Sequence, residues 1–203
     1  MSGWTRHDGT AIALRAENVD TDQIIPARFM STPRAEGYGR FLLHDLRHHA
    51  DGTPVAAFPL NRVPDASVLV AGRNFGSGSS REAAVYALVD FGIRAVMAPS
   101  FGDIFAANAV NNGLLPAASP EAEALLDAMG DGPAPARIDI AAGTVSVGDT
   151  TVTFDLDPTW QQKLIRGWDD IDLTAAHGAA IAAYRANCAR THPWAFPERE
   201  RVE

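Results

Sequence analysis

The stretch "ASVLVAGRNFGSGSSREAAVYALVDFG", residues 66–92, limits the fold more tightly than any other part of the chain. An uninterrupted apolar run, Val68 to Ala71, leads straight into a loop rich in glycine and serine. A short apolar run bounded by turn residues reads as a strand covered on both faces. "REAAVYALVDFG" follows as a helix of good helix formers, with an apolar stripe at Val85, Leu88 and Val89 and Gly92 as its stop. "IRAVMAPS" and "GDIFAANAVNNG" repeat the pattern as strand and helix. A strand–helix–strand–helix succession of this kind predicts an α/β fold with parallel neighbouring strands.

The flanks add to this frame. "GTAIALRAENVDTDQIIPARF" begins as a strand and breaks into a polar loop, "MSTPRAEGYG" reads as a mobile loop, and "RFLLHDLRHHA" reads as a short helix ending at Asp51-Gly52. "PEAEALLDAM" is a further helix. "ARIDIAAGTVSVGDTTVTFDLD" alternates apolar and polar residues between glycine turns, which predicts two or three antiparallel strands and hence a mixed sheet flanked by helices. "DPTWQQKLIRG" sets Asp157 as N-cap, Pro158 at the first helical position and Gly167 after the end. "DLTAAHGAAIAAYRANCAR" reads as a last helix, capped by Thr174.

At 203 residues, 46% apolar and 21% charged, the chain suits one globular domain spanning 1–203. A net charge of −8 argues against nucleic acid as the main partner, because phosphate binding needs a basic surface. Pro99, Asn111, Asn112, Gly113 and Pro116 break the longest weakly charged stretch, so no membrane span is expected. "MSGWTRHDGTAIAL" lacks the parts of a secretory signal, and the expected compartment is the cytoplasm. The one cysteine, Cys188, cannot pair internally or hold an iron–sulfur cluster by itself, so no metal-ligand set is assigned to this chain. "HDLRH" lacks the glutamate of H-E-x-x-H and reads as an exposed helix face.

The loop "GSGSSRE" admits two readings. Ser79 and Glu82 stand in the S-x-x-E relation of a capping box. Alternatively, Gly76 and Gly78 let backbone approach an anion, the helix start offers free N–H groups, and Arg81 grips a carboxylate with two parallel bonds. G-x-G-x-x-G, the P-loop and G-x-S-x-G are all absent. Proton transfer is the remaining role for a serine here, with its alkoxide stabilised by N–H groups and a nearby cation.

"NVDTDQIIPARF", "GRNFGSGSSREAAVYALVDFGIRAVMAPSFGDIFAANAVNNGLLP" and "FDLDPTWQQKLIRGWDDIDLTAAHGAAIAAYRA" together resemble the small subunits of the 3-isopropylmalate dehydratase family, in the aconitase superfamily. The resemblance runs from about Asn18 to Trp194, and N-x-D-T-D, G-S-S-R-E, S-F-x-D-I-F and N-G-L-L-P in that order make it specific. It implies a single swivelling β/β/α domain of the aconitase C-terminal type. Such a domain closes over an active site on a large-subunit partner that carries a [4Fe–4S] cluster, and the substrate is a small dicarboxylate. By the same resemblance Ser79 is the base, Ser80 a hydroxyl and backbone donor, and Arg81 the carboxylate clamp. Asp20, Thr21 and Asp22 match the D-T-D motif facing the cleft, or else form an Asx-type turn. Arg34, in "TPRAEGYG", is a candidate second substrate arginine, or else an unpaired surface residue.

The implied reaction dehydrates 2-isopropylmalate and rehydrates the product at the neighbouring carbon, in leucine biosynthesis. Ala83 and Val85-Tyr86 depart from the family's usual R-E-H-A and the following pair, and Ser77 stands where many members have cysteine or threonine. These departures leave the serine and the clamp in place but open the choice of diacid. A paralogous hydro-lyase acting on citraconate, methylmalate or dimethylmalate, and a non-catalytic dicarboxylate-binding module, are the alternatives.

Overall fold

Four parallel strands form one half of a seven-stranded sheet: β1 (Arg6–Leu14), β2 (Val68–Ala71), β3 (Ala95–Ala98) and β4 (Leu115–Ala118). The other half is an antiparallel meander of β5 (Ala134–Asp139), β6 (Thr144–Val147) and β7 (Thr150–Thr153), joined to the first through β5 against β1. The order across the sheet is β4-β3-β2-β1-β5-β6-β7. The expected mixed sheet is therefore present, and the meander supplies three strands. This computed structural model describes residues 2–196.

The helices, in chain order, are α1 (Thr21–Ile24), α2 (His44–Arg47), α3 (Pro59–Arg62), α4 (Glu82–Phe91), α5 (Asp103–Asn111), α6 (Ala122–Ala128), α7 (Pro158–Arg166), α8 (Asp170–Ala175) and α9 (Gly178–Thr191). Alternation along the parallel strands divides the core into two layers. Ile12, Leu14, Leu69, Ala71, Val96 and Ala98 face α1, α4 and the segment around Leu42. Ala11, Ala13, Val68, Val70, Met97 and Leu115 face α6, Leu164 of α7 and the inner side of the meander. Each fully buried aliphatic side chain stabilises the fold by roughly 1.5–3 kcal/mol, so β2, buried along its whole length, is a major anchor for the loop that leaves it. Asp157 caps α7 through the amides of Thr159 and Trp160, and Gly92 and Gly167 end α4 and α7 in the left-handed region, all as expected.

The structure adds to or departs from the sequence reading at four places. Strand β4 lies in "GLLPAA", where Pro116 hides it from a strand pattern; it is an edge strand, the place where a sheet tolerates proline. "RFLLHDLRHHA" makes only a single α-turn, because Phe41, Leu42 and Leu43 are all buried and three consecutive residues cannot share one helix face. Leu43 takes φ +49° to turn the chain there. The last helix is two helices: the Thr174 hydroxyl donates to the Asp170 carbonyl instead of capping, and His177 precedes α9. The segment read as a mobile loop holds 3₁₀ turns at Arg34–Glu36 and Gly39–Phe41.

The chain divides into two compact units, Met1–Asp169 and Asp170–Glu203. The hydrophobic layers belong to the first unit; no residue from 170 to 196 is buried. No helix among the described residues is long and apolar enough to cross a membrane.

Candidate functional site

Parallel pairing continues past the ends of the central strands and brings their loops together. Single bridges join Asp20 to Ser77 and Phe75 to Phe101, beyond β1, β2 and β3. The Gly76 amide donates to the Val19 carbonyl at 2.7 Å, and the Thr21 amide donates to the Ser77 carbonyl at 2.9 Å. Asn18 and Asn74, at φ +53° and +59°, turn the two loops in step, and the Asn74 amide nitrogen donates to Asn18 Oδ1 at 2.8 Å. Asparagine tolerates this region because its side chain bonds locally.

An aromatic base carries the serine loop. Phe75 is fully buried and meets Phe105 edge-on at 5.5 Å, while Phe101 stacks on Phe105 at 6.2 Å. Gly76 sits on this base at φ +72°, and a Cβ there would lie 2.2 Å from the Phe105 ring. The missing side chain at Gly76 makes room for the Phe105 ring. Gly78, at φ +96° and exposed, reverses the chain at the loop tip. Sequence reasoning took S-F-x-D-I-F as a signature without seeing that its two phenylalanines support the loop; the aromatics in "NFGSG" and "SFGDIF" were the available sign.

The capping-box reading of Ser79 and Glu82 is not realised. Helix α4 begins at Glu82, Arg81 occupies the cap position, and no side chain caps the amides. Ser79 Oγ instead lies 3.1 Å from Thr21 Oγ1, across 58 residues of sequence. The Thr21 hydroxyl is also 3.2 Å from the Ser79 carbonyl oxygen. Glu82 Oε1 accepts from the side-chain amide of Asn112, at 2.9 Å, which ties the N-G-L-L-P motif to the start of α4. Burial and the negative charge of Glu82 push the Tyr86 phenol above its usual pKa.

Within the D-T-D motif each residue has a separate partner. Asp20 caps α1, accepting from the Gln23 amide at 2.7 Å while Gln23 returns a contact to the Asp20 amide at 3.0 Å. Thr21, 1% exposed, reaches Ser79. Asp22 pairs with Nη1 of Arg81. The structure thus gathers Asp20, Thr21, Asp22, Ser77, Gly78, Ser79 and Arg81 around one exposed loop, with Ser80 at its surface.

Arg34 belongs to a different contact set. Its two terminal nitrogens donate to Asp90 at 2.6 and 2.8 Å, and its guanidinium lies 4.4 Å from the Tyr86 ring centre. Asp90 is at the far end of α4, eight residues or about 12 Å along the helix axis from Glu82. Arg34 is a paired residue that ties the 30–39 segment to α4. His44 and His48 stack on each other at 4.4 Å. Among the described residues no three His, Cys, Asp or Glu side chains gather where they could hold a metal ion.

Taken together, Ser79 and Arg81 are both held against α1, Ser79 through Thr21 and Arg81 through Asp22; a hydroxyl and a guanidinium on one loop are residue types suited to moving a proton next to a bound carboxylate. The aconitase C-terminal domain profile matches residues 1–122. The 3-isopropylmalate dehydratase small subunit of Caulobacter vibrioides is 46% identical over 96% of this chain and 98% of its own length. Its counterpart from Rhodospirillum centenum is 43% identical over 97% of this chain and all of its own length. A crystal structure of 3-isopropylmalate dehydratase from Methanocaldococcus jannaschii superposes with a TM-score of 0.66 at 28% identity, covering 88% of this chain and 99% of that one. Sequence and fold agree: the chain belongs to the 3-isopropylmalate dehydratase small-subunit family, built on the aconitase C-terminal domain.

Proposed function

We propose that this chain is the substrate-closing half of a hydro-lyase that interconverts 2-isopropylmalate and 3-isopropylmalate, with a large subunit as its obligatory partner. The carrying observation is the convergence of two distant motifs, D-T-D and G-S-S-R-E, on Ser79 and Arg81. Arg81 uses only Nη1 on Asp22, which leaves Nη2 and Nε for a substrate carboxylate. Ser79, as the alkoxide, takes the proton from the carbon beside that carboxylate, and Arg81 steadies the negative charge that moves onto the carboxylate oxygens. Hydroxide leaves the neighbouring carbon to give the unsaturated diacid. Addition of water in the opposite sense, with Ser79 returning its proton, gives the isomer.

Ser79 and Ser80 are exposed in this chain, and electrostatic stabilisation of an alkoxide is weak in bulk water. The reading therefore requires a partner that covers the loop, and the name of the relatives, small subunit, supports a large subunit in that role. One cysteine, and no gathered ligand set among the described residues, do not fit a [4Fe–4S] cluster in this chain, and the proposal assigns that cluster to the large subunit.

Co-expression with a large subunit encoded in the same genome, anaerobic reconstitution and absorbance of the unsaturated intermediate test the reading. 2-Isopropylmalate is expected to turn over faster than citraconate or dimethylmalate. Preference for a smaller diacid would overturn the substrate assignment, and no turnover of any diacid would overturn the enzymatic one.

A further inference from the structure

The hydroxyl contact between Thr21 and Ser79 goes beyond holding two loops together. Thr21 Oγ1 lies almost equally near two oxygens of the same residue, 3.1 Å from Ser79 Oγ and 3.2 Å from the Ser79 carbonyl. A hydroxyl carries one proton and two acceptor lone pairs. With Ser79 neutral, Thr21 donates to the carbonyl while the Ser79 hydroxyl donates to Thr21 Oγ1. Once Ser79 has lost its proton to solvent, the Thr21 proton can turn onto Ser79 Oγ, where a bond to an anion is roughly twice as strong as one between neutral groups. The heavy atoms need not move.

We propose that Thr21 is a positioning residue whose hydroxyl switches from the Ser79 carbonyl to Ser79 Oγ and so stabilises the serine alkoxide; this rests on the reading of Ser79 as the base. The Thr21 proton stays on Thr21 throughout. The proton that forms the new O–H bond at Ser79 comes from the substrate C–H bond, and the Thr21 donor then returns to the carbonyl. The local structure suits this role. Thr21 is buried, its amide is tied to the Ser77 carbonyl, Asp20 and Gln23 close the turn around it, and its branched Cβ restricts χ1. The charged residues next to the pair along the chain are Asp20 and Asp22, which flank Thr21, and Arg81 and Glu82, which follow Ser79; Asp20 accepts from the Gln23 amide, Asp22 pairs with Arg81 and Glu82 accepts from Asn112. None of their carboxylates bonds Ser79 Oγ, and Thr21 is the one described side chain that does.

The test compares Thr21→Val, Thr21→Ser and Ser79→Ala in the enzyme reconstituted with its large subunit, measuring kcat and KM across pH. Thr21→Val is expected to lower kcat about tenfold at neutral pH, to leave KM within about twofold, and to move the alkaline rise of kcat up by about one pH unit. Thr21→Ser, which keeps the hydroxyl, is expected to restore both. In a Ser79→Ala background Thr21→Val should slow nothing further, a comparison that holds even if the valine variant loses some stability. An unchanged pH profile and kcat in Thr21→Val, beside an inactive Ser79→Ala, would overturn the role of Thr21 and leave the base intact. Additive losses in the double variant would overturn it as well. Full activity in Ser79→Ala would instead overturn the reading on which the proposal rests.

Discussion

Asp90 accepts both terminal nitrogens of Arg34, at 2.6 and 2.8 Å, and the Tyr38 amide, at 2.7 Å. One carboxylate near the C-terminal end of α4 thereby fixes both ends of the segment from Arg34 to Tyr38. Hydrogen bonds to a charged group are individually strong, so Asp90→Ala is expected to cost about 1–3 kcal/mol in urea unfolding. Arg34→Ala should cost a similar amount, and the double variant less than the sum, since both lose the same contact. Hydrogen exchange at the Tyr38 amide should accelerate in Asp90→Ala. Full additivity would show that the pair contributes nothing.

Gly76 and Gly92 separate crowding from backbone strain. Both have positive φ, but a Cβ at Gly92 meets nothing within 4 Å, whereas at Gly76 it meets the Phe105 ring at 2.2 Å. Gly92→Ala is expected to cost about 1–2 kcal/mol from the left-handed backbone alone. Gly76→Ala should cost several kcal/mol, on the order of 3–5, because backbone and ring are both displaced. Thermal unfolding of the two variants checks the ranking; equal losses would contradict it.

His7 makes part of the stability depend on pH. Burial, followed by the charge of Arg94, holds its pKa below 6.5, with Asp8 opposing, and its Nε2 lies 2.8 Å from Ser67 Oγ. The unfolded chain then binds more protons than the folded one between the lowered folded value and 6.5. This contribution is fully present above 6.5 and is lost as pH falls through 6.5 towards the lower folded value. Against His7→Gln, the unmodified protein is expected to lose stability between pH 7 and 5, on the order of the two-unit range around the ordinary histidine pKa. Parallel curves for the two proteins would rule out the linkage.

Arg81→Lys keeps the charge and loses the planar fork. In the reconstituted enzyme kcat/KM is expected to fall roughly 10–100-fold, the loss of one charge-assisted bond to the carboxylate. A wild-type value in the lysine variant would mean that charge alone suffices.

β2, β3 and the helices that follow them were legible because the strands are short apolar runs and the helices carry apolar stripes with glycine near their ends, and periodicity reports such features directly. What escaped notice depended on distant partners or on local exceptions. Ser79 and Glu82 satisfy the spacing of a capping box, yet the Ser79 hydroxyl goes to Thr21 and Glu82 goes to Asn112, neither of which is near in sequence. Arg34 reads from sequence as a candidate substrate arginine or an unpaired surface residue, and its pairing was hidden because Asp90 lies 56 residues away. Pro116 concealed β4 because its edge position is a property of the sheet, not of the segment. The D-T-D and S-S-R motifs could be placed by resemblance, but the assignment of Thr21 to Ser79 and Asp22 to Arg81 needed coordinates.

The central claim is that Ser79 moves the substrate proton. Its most direct measurement is deuterium incorporation from D2O into 2-isopropylmalate, at the carbon bearing the abstracted hydrogen, by enzyme reconstituted from the large subunit and either Ser79→Ala or Ser80→Ala. Ser79→Ala is expected to lower incorporation by at least about a hundredfold, within the usual range for a general base, while Ser80→Ala retains measurable exchange. Exchange at the full rate in Ser79→Ala, in a complex that assembles normally, would contradict the account.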